Sequence, residues 1–270
     1  MDKEQYTLIT GGSRGIGKGF AFECARRGMN ILLVARSGEQ LENAANELLN
    51  KYPVLVKTFA IDLTEKKAPQ NVFDWCKKNN YVVNILINNA GVGGTTIFDK
   101  STVEYSDMRI QLNTRALVLL CRYFIPEMKK LPKAYILNVS SLSAFFAIPY
   151  KSVYSATKVF VLNFSKAIRD ELVESPINVS VVCPNGVVTN KEISSRIEAY
   201  GKKGNVAVIS INELATFTIE EMLKDKAVII PKKINRVLVF FGKIMPDFLK
   251  QHILRNQFKK EIELSVKNNY

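Results

Sequence analysis

Histidine is almost missing from this chain: His252 is the only one in 270 residues. That excludes a metal centre built on a histidine cluster and argues against a Ser-His-Asp triad. Cysteine is scarce too, and Cys24, Cys76, Cys121 and Cys183 lie far apart with no C-x-x-C pair. The pattern suits reduced thiols in a cytosol rather than a disulfide framework. No Gly-, Pro- or Ser-rich linker divides the sequence. The first five residues include the charged run Asp2-Lys3-Glu4 and the apolar run after them is only strand-length, so no secretory leader is expected. Acids are outnumbered, with 25 Asp and Glu against 38 Lys and Arg, for a net charge of +13. No helical stretch carries a basic stripe with interleaved aromatics, so nucleic acid is not the expected partner. Anionic substrates, cofactor phosphates or a membrane surface fit the excess better. It is concentrated near the C-terminus, where residues 226–260 hold nine Lys or Arg against Asp247 alone.

A chain of this length can bury roughly three quarters of its unfolded surface, enough for one α/β domain without a structural metal. Read in order, residues 5–10 form a strand that runs into Gly11-Gly12-Ser13-Arg14-Gly15-Ile16-Gly17. A helical pattern then follows through Phe20, Ala21, Cys24 and Ala25. Strand, glycine turn and helix together form a phosphate cradle, because glycine admits positive φ and the helix start presents unpaired N–H groups to a pyrophosphate. Residues 30–35 are a second strand. An NAD site would place a carboxylate about 20 residues after the glycines; here the place holds Ala35 followed by Arg36. Arg14 and Arg36 are both positioned to flank a 2′-phosphate, so NADP(H) is expected. Residues 38–51 are amphipathic, 54–61 form a third strand ending at Asp62-Leu63, a helix covers 66–78, and a strand covers 84–88. Further strands are expected at 134–139, 177–183 and 227–230. The alternation describes a doubly wound parallel sheet of about seven strands with ligands at the strands' C-terminal ends. Asp62, Asn88 and Asn89 all fall at such ends.

The chemistry is expected between Ser141 and Lys158. Tyr154 and Lys158, four apart, project from one face of a helix for which Ser152 is the candidate N-cap. An ammonium beside a phenol favours phenolate, bringing a pKa of about 10 toward the range useful for acid–base work. Ser141 follows the 134–139 strand, and its hydroxyl can polarise a carbonyl that Tyr154 protonates.

These residues carry a family resemblance. T-G-G-S-R-G-I-G at 10–17, N-N-A-G at 88–91, Asn113, Ser141 and Y-x-x-x-K at 154–158 occur in the order and spacing of a short-chain dehydrogenase/reductase, over about residues 6–230. The resemblance implies a single-domain Rossmann fold and a tetrad of Asn113, Ser141, Tyr154 and Lys158. Tyr154 would be the general acid/base, Ser141 would steady the substrate oxygen, and Lys158 would hold the nicotinamide ribose and lower the tyrosine pKa. Asn113 would position a water linking Lys158 to solvent; by itself, it reads as a surface or capping amide. The cofactor set implied is Gly11, Ser13, Arg14, Gly15, Ile16, Gly17, Arg36, Asp62, Leu63, Asn89, Gly91, Tyr154 and Lys158, with Val187 and Thr189 near the nicotinamide amide. No metal ligand is implied. The family pattern P-G-x-V/I-x-T is broken here, because Asn185 replaces the glycine; asparagine tolerates left-handed φ better than most residues.

Phe145 and Phe146 between the catalytic segments either line an apolar pocket or pack in the core or at a subunit contact. Gly93-Gly94 would give a mobile loop at the mouth, and residues 190–209 a substrate lid. After Pro231 a basic, amphipathic helical extension (231–270) is expected, interrupted at Pro246, with Ile234, Val237, Leu238, Phe241, Ile244 and Met245 at helical spacing. It can pack on its own domain, on another subunit or on a membrane surface. Its longest apolar run, 237–241, is far below the roughly 20 residues needed to span a bilayer. The function expected is an NADPH-dependent, cytoplasmic reductase of lipid-like ketones such as 3-oxoacyl chains or steroids. By resemblance it forms a homodimer or homotetramer through helices starting near Asn113 and Ser152. The competing readings are a non-catalytic dinucleotide-binding scaffold or redox sensor, and a peripheral membrane protein attached through 231–270.

Overall fold

The computed structural model of the chain describes residues 4–187 and 208–267. Runs of β-branched and leucine residues, each closed by a small or polar residue, become parallel strands. These are β1 (Gln5–Thr10), β2 (Asn30–Ala35), β3 (Val56–Ala60), β4 (Val82–Asn88), β5 (Ala134–Val139), β6 (Ile177–Val182) and β7 (Val228–Ile229). They pair in the order β3-β2-β1-β4-β5-β6-β7. The order reverses between β1 and β4, so the two flanking connections diverge there and leave a crevice at the carboxyl ends.

Both faces of the sheet are covered, and the period of two along each strand shows it. On β5, Ala134 and Ile136 join one buried cluster while Tyr135, Leu137 and Val139 join the other. α1 (Gly15–Arg26), α2 (Gly38–Lys51) and α7 (Ile211–Leu223) cover one face through Phe20, Leu41, Leu48, Leu214 and Ile219. α3 (Ala68–Lys78), α5 (Ala116–Met128) and α6 (Ser152–Glu171) cover the other through Val72, Leu120, Phe124 and Val161. Each such side chain, fully withdrawn from water, contributes roughly 1.5–3 kcal/mol before the entropy of ordering it.

Several boundaries differ from the sequence expectation. β3 is shorter at both ends than 54–61, and β4 begins two residues early, at Val82. Ser152 is the first helical residue of α6; the N-cap position belongs to Lys151, without a side-chain cap. Asn113 lies three residues before the start of α5 at Ala116. It sits in the middle of a long helical stretch, where α4 (Val103–Ile110) passes through a π turn (Gln111–Arg115) into α5. The expected lid falls almost wholly on residues 188–207, outside those described.

The extension is helical, as α8 (Lys233–Ile244) and α9 (Asp247–Lys267), parted at Met245-Pro246. Only Asn235, Val239 and Gly242 of α8 are buried. Asn235 accepts from Asn185 Nδ2 at 3.0 Å and donates to Pro231 O at 2.9 Å.

Candidate active site

The turn after β1 is shaped by backbone crowding. Gly11 has φ +65°, and its N–H reaches Val34 O at 2.7 Å. A Cβ on Gly17 would stand 2.2 Å from Gly11 O and 2.4 Å from Asn89 Nδ2, so no larger residue fits. Asn89 pins the turn by donating to Thr10 O at 2.9 Å and Gly11 O at 3.2 Å. Thr10 Oγ1 in return accepts from the N–H groups of Asn89 and Ala90, both at 3.0 Å. Helices α2, α4 and α7 are capped by Ser37, Thr102 and Ser210, whereas α1 has Arg14 at its N-cap, no side-chain cap and no acid in its first turn. Its first N–H groups, from Gly15, Ile16 and Gly17, are thus free for an anion. Ser13 is half-buried and Arg14 exposed beside them. Uncapped donors, close-approach glycines and a guanidinium fit a dinucleotide pyrophosphate.

Arg36, at the end of β2, is exposed, and its Nη1 lies 3.8 Å from Asp62 Oδ2. The sequence reading had no carboxylate here; the neighbouring strand supplies one. Burial works against the Asp62 charge, but two hydrogen bonds from Thr64, at 2.9 Å from its N–H and 2.7 Å from its hydroxyl, together with Arg36 hold its carboxyl below the usual range. Leu63 turns into the core and is buried.

At the carboxyl ends of β4 and β5 the structure brings together all four tetrad positions. Ser141 caps the 3-10 turn Leu142–Phe145, accepting from Ser143 N–H at 3.2 Å. The Tyr154 hydroxyl, on α6, meets the Ser141 side chain, which favours its ionised form, as does the neighbouring Ser143 hydroxyl. Burial outweighs both and raises the phenol above its ordinary value. The expectation of a lowered tyrosine pKa therefore fails in the protein alone. The physical reason lies with Lys158. Its ammonium is 5.8 Å from the Tyr154 ring centroid, donates to Val139 O at 2.9 Å, and is itself pushed down to about 8 by burial. A buried ammonium turned toward a carbonyl does little for the phenol.

Asn113 is buried and anchors three segments. Its Oδ1 accepts from Val92 N–H at 2.9 Å, and its Nδ2 donates to Val92 O and Thr157 Oγ1, both at 3.1 Å. Gly91 lies against it: an added Cβ would come 3.1 Å from Asn113 Oδ1 and 3.5 Å from Lys158 Nζ. The π turn aims this amide inward, a common use of that geometry.

Beside Tyr154 lies a small cleft whose walls include Tyr105, Arg109, Tyr150 and Lys151. The Gly93-Gly94 loop at its edge is tied down, since Arg109 Nη2 donates to Gly93 O at 2.7 Å and the guanidinium stacks 3.2 Å from the Tyr105 ring centroid. Phe145 packs against the core, and Phe146 packs against Gly242 of α8. Neither lines the cleft. Val187 is buried and bridges to Ile209, while Thr189 lies outside the described residues. Asn185 does not take positive φ; its side chain is used instead, to hold Asn235.

Sequence reading missed a buried polar ladder behind the site. Asn88 Nδ2 donates to Asn138 Oδ1 at 2.9 Å, and Asn138 Nδ2 to Ser165 Oγ at 2.9 Å, joining β4, β5 and α6. Asn138 sits in an otherwise apolar strand, and that break in the pattern was the available signal. Ser140 Oγ likewise donates to Lys158 O at 2.7 Å, and Arg109 carried no signal beyond its charge.

The model of the family described as short chain dehydrogenase matches residues 5–199. A very-long-chain 3-oxoacyl-CoA reductase of Bos taurus is 33% identical over 193 residues, which is 68% of this chain and 60% of the relative. A 17-beta-hydroxysteroid dehydrogenase type 3 of Homo sapiens is 33% identical over 188 residues, with the same shares of 68% and 60%. The matched region thus spans about 60% of the length of these curated relatives. Among solved structures, a short-chain dehydrogenase from Sphingobium yanoikuyae in complex with NADPH is 31% identical with a TM-score of 0.76, covering 88% of this chain and 93% of that one.

Proposed function

Because the chain belongs to the short-chain dehydrogenase/reductase family, we propose that it interconverts a ketone and a secondary alcohol on a lipid-like substrate, with NADP(H). The observation that carries this reading is the meeting of Ser141, Tyr154, Lys158 and Asn113 at one crevice beside an uncapped, glycine-shaped helix start. The nicotinamide, when bound, supplies or accepts the hydride. The protein's own part is proton management. Tyr154, with its pKa raised by burial, is a phenol at neutral pH and so is ready to donate its proton to a carbonyl oxygen in the reducing direction. Ser141 donates a hydrogen bond to the same oxygen as negative charge grows there. Lys158, poised near pH 8, returns a proton toward Tyr154 after each turnover. Asn113 fixes the Val92 backbone and, through Thr157, the first turns of α6.

Arg14 and Arg36, both exposed at the ribose end, support NADP(H), since two guanidiniums outweigh the single Asp62 carboxylate, itself engaged by Thr64. The substrates printed in the names of the two curated relatives, a very-long-chain 3-oxoacyl-CoA and a 17-hydroxysteroid, support a lipid-like ketone. Exposed Met108, Ile110, Val159 and Phe160 on α4, the adjoining π-turn boundary and α6 support a dimer or tetramer through that side. Four buried, free thiols support a reducing compartment such as the cytosol.

The test is NADPH consumption against a panel of 3-oxoacyl, steroid and simple ketones. Turnover that drops by roughly 10²–10⁴ in Tyr154→Phe, with nucleotide binding kept, is the expected result. Tight nucleotide binding with no turnover of any ketone would establish the scaffold reading instead.

A further inference from the structure

We propose that α8 and the first turns of α9 seat this protein on an anionic lipid surface. Among the described residues no helix is long and apolar enough to cross a membrane, so the contact is one of lying on the bilayer. Helix α8 buries only the stripe Asn235, Val239 and Gly242. At about 100° per residue, Ile234, Val237, Leu238, Phe240, Phe241 and Ile244 span roughly 160° of its circumference on another side. None of these is packed away: Phe240 is 61% exposed, Phe241 59% and Ile244 65%. Past the bend Phe248, at 79%, and Ile253, at 46%, are exposed as well. An apolar helix face this rich in phenylalanine is not an ordinary solvated surface.

Charge decides the occupant. By the same 100° step Lys233 lies among these apolar positions and Arg236 and Lys243 run along one edge of them, all three exposed, and residues 226–260 as a whole hold nine basic residues against one acid. A second copy docked on the same patch would bring two such basic borders together, and like charges across an interface oppose it. An anionic headgroup layer is complementary to the basic border, and its acyl boundary accepts the phenylalanines.

The face is also held rigidly. Lys250 Nζ ties the bend, donating to Gly242 O at 3.0 Å and pairing with Asp247 at 2.8 Å. Gln251 Nε2 reaches Ala147 O at 3.1 Å, and Lys151 lies 5.2 Å from the Phe258 ring centroid. These contacts fix α8 and α9 against the turn that follows Ser141 and against a wall of the cleft.

The experiment is co-flotation of the full chain with vesicles of phosphatidylcholine alone and of phosphatidylcholine mixed with phosphatidylserine. The expected result is flotation with the mixed vesicles that weakens as salt is raised. It should fall about tenfold or more in Phe240→Ser/Phe241→Ser and also in Lys233→Glu/Lys243→Glu, with circular dichroism and nucleotide binding unchanged. Because the readout is partitioning, it stands or falls independently of turnover. Equal partitioning of parent and variants would overturn the proposal. So would a parent that ignores both vesicles and is a dimer in sedimentation, with Phe240→Ser/Phe241→Ser a monomer.

Discussion

The turn after β1 is built from backbone, and the seat of α8 from side chains. At the β1–α1 turn, Gly17 presses on Gly11 O and Asn89 pins the loop; at α8, away from the cleft, Gly242 presses on the ring of Phe146, with Cε1 2.4 Å from where a Cβ would stand. The first contact cannot yield without unfolding the turn. The second can yield by a rotamer change. A site fixed by backbone tolerates few residue types and so writes itself into a motif, whereas a site fixed by side chains can be rebuilt with many.

The strongest way to break that contrast is to add a side chain at each glycine. Gly17→Val should abolish nucleotide binding and cost ~3 kcal/mol or more of stability. Gly242→Ala should cost ~1 kcal/mol or less and leave nucleotide affinity intact. Denaturant melts with and without NADPH measure both, and equal losses would erase the distinction.

Next is Lys158, whose burial sets stability against chemistry. Its pKa in the folded chain is about 8, against 10.5 for a free lysine. Between those values the unfolded chain binds more protons, so this group makes stability rise with pH from 8 to 10.5 and imposes a constant penalty below 8. Lys158→Met should remove the penalty and abolish turnover. At pH 7 the gain should be up to ~3 kcal/mol, less ~1 kcal/mol because Val139 O loses its donor. The gap to the parent should close as pH approaches 10.5, and melts across that range would show it.

A smaller effect tests the ribose end. Arg36→Asp should lower the preference for NADPH over NADH by at least about tenfold, ~1.4 kcal/mol, in kcat/KM ratios. An unchanged ratio would assign Arg36 to solvent. The smallest is Asn185→Gly, which restores the family's usual residue and deletes the bond to Asn235. It should destabilise by ~1 kcal/mol in thermal melts and loosen α8 without altering nucleotide affinity.

The same contrast explains how much was legible in the sequence. The strands, their parallel arrangement, the glycine turn and the Tyr154–Lys158 pair follow from period, glycine placement and i, i+4 spacing. The place of Asn113 in a π turn did not, because one extra residue in a helix leaves no mark in a hydrophobic pattern. The direction of the Tyr154 shift was misjudged because spacing shows that a lysine is near, and cannot show that it donates to Val139. Asp62 reached Arg36 across two strands, a pairing no local window contains. Phe145 and Phe146 were ambiguous for the same reason: which surface an apolar residue meets is decided by the fold.

The π turn also limits how this helix can be altered. Ala116 N–H closes on Gln111 O, five residues back rather than four. Five residues at the wider winding of a π turn sweep about the same angle as four in an α-helix, so removing one residue from 111–115 would let the winding become regular and leave Arg109 facing Gly93. What would be lost is the inward aim of Asn113, and with it the ties to Val92 and Thr157. A deletion elsewhere in α4 or α5, with no such turn to absorb it, would instead rotate one part of the helix against the other by about 100°.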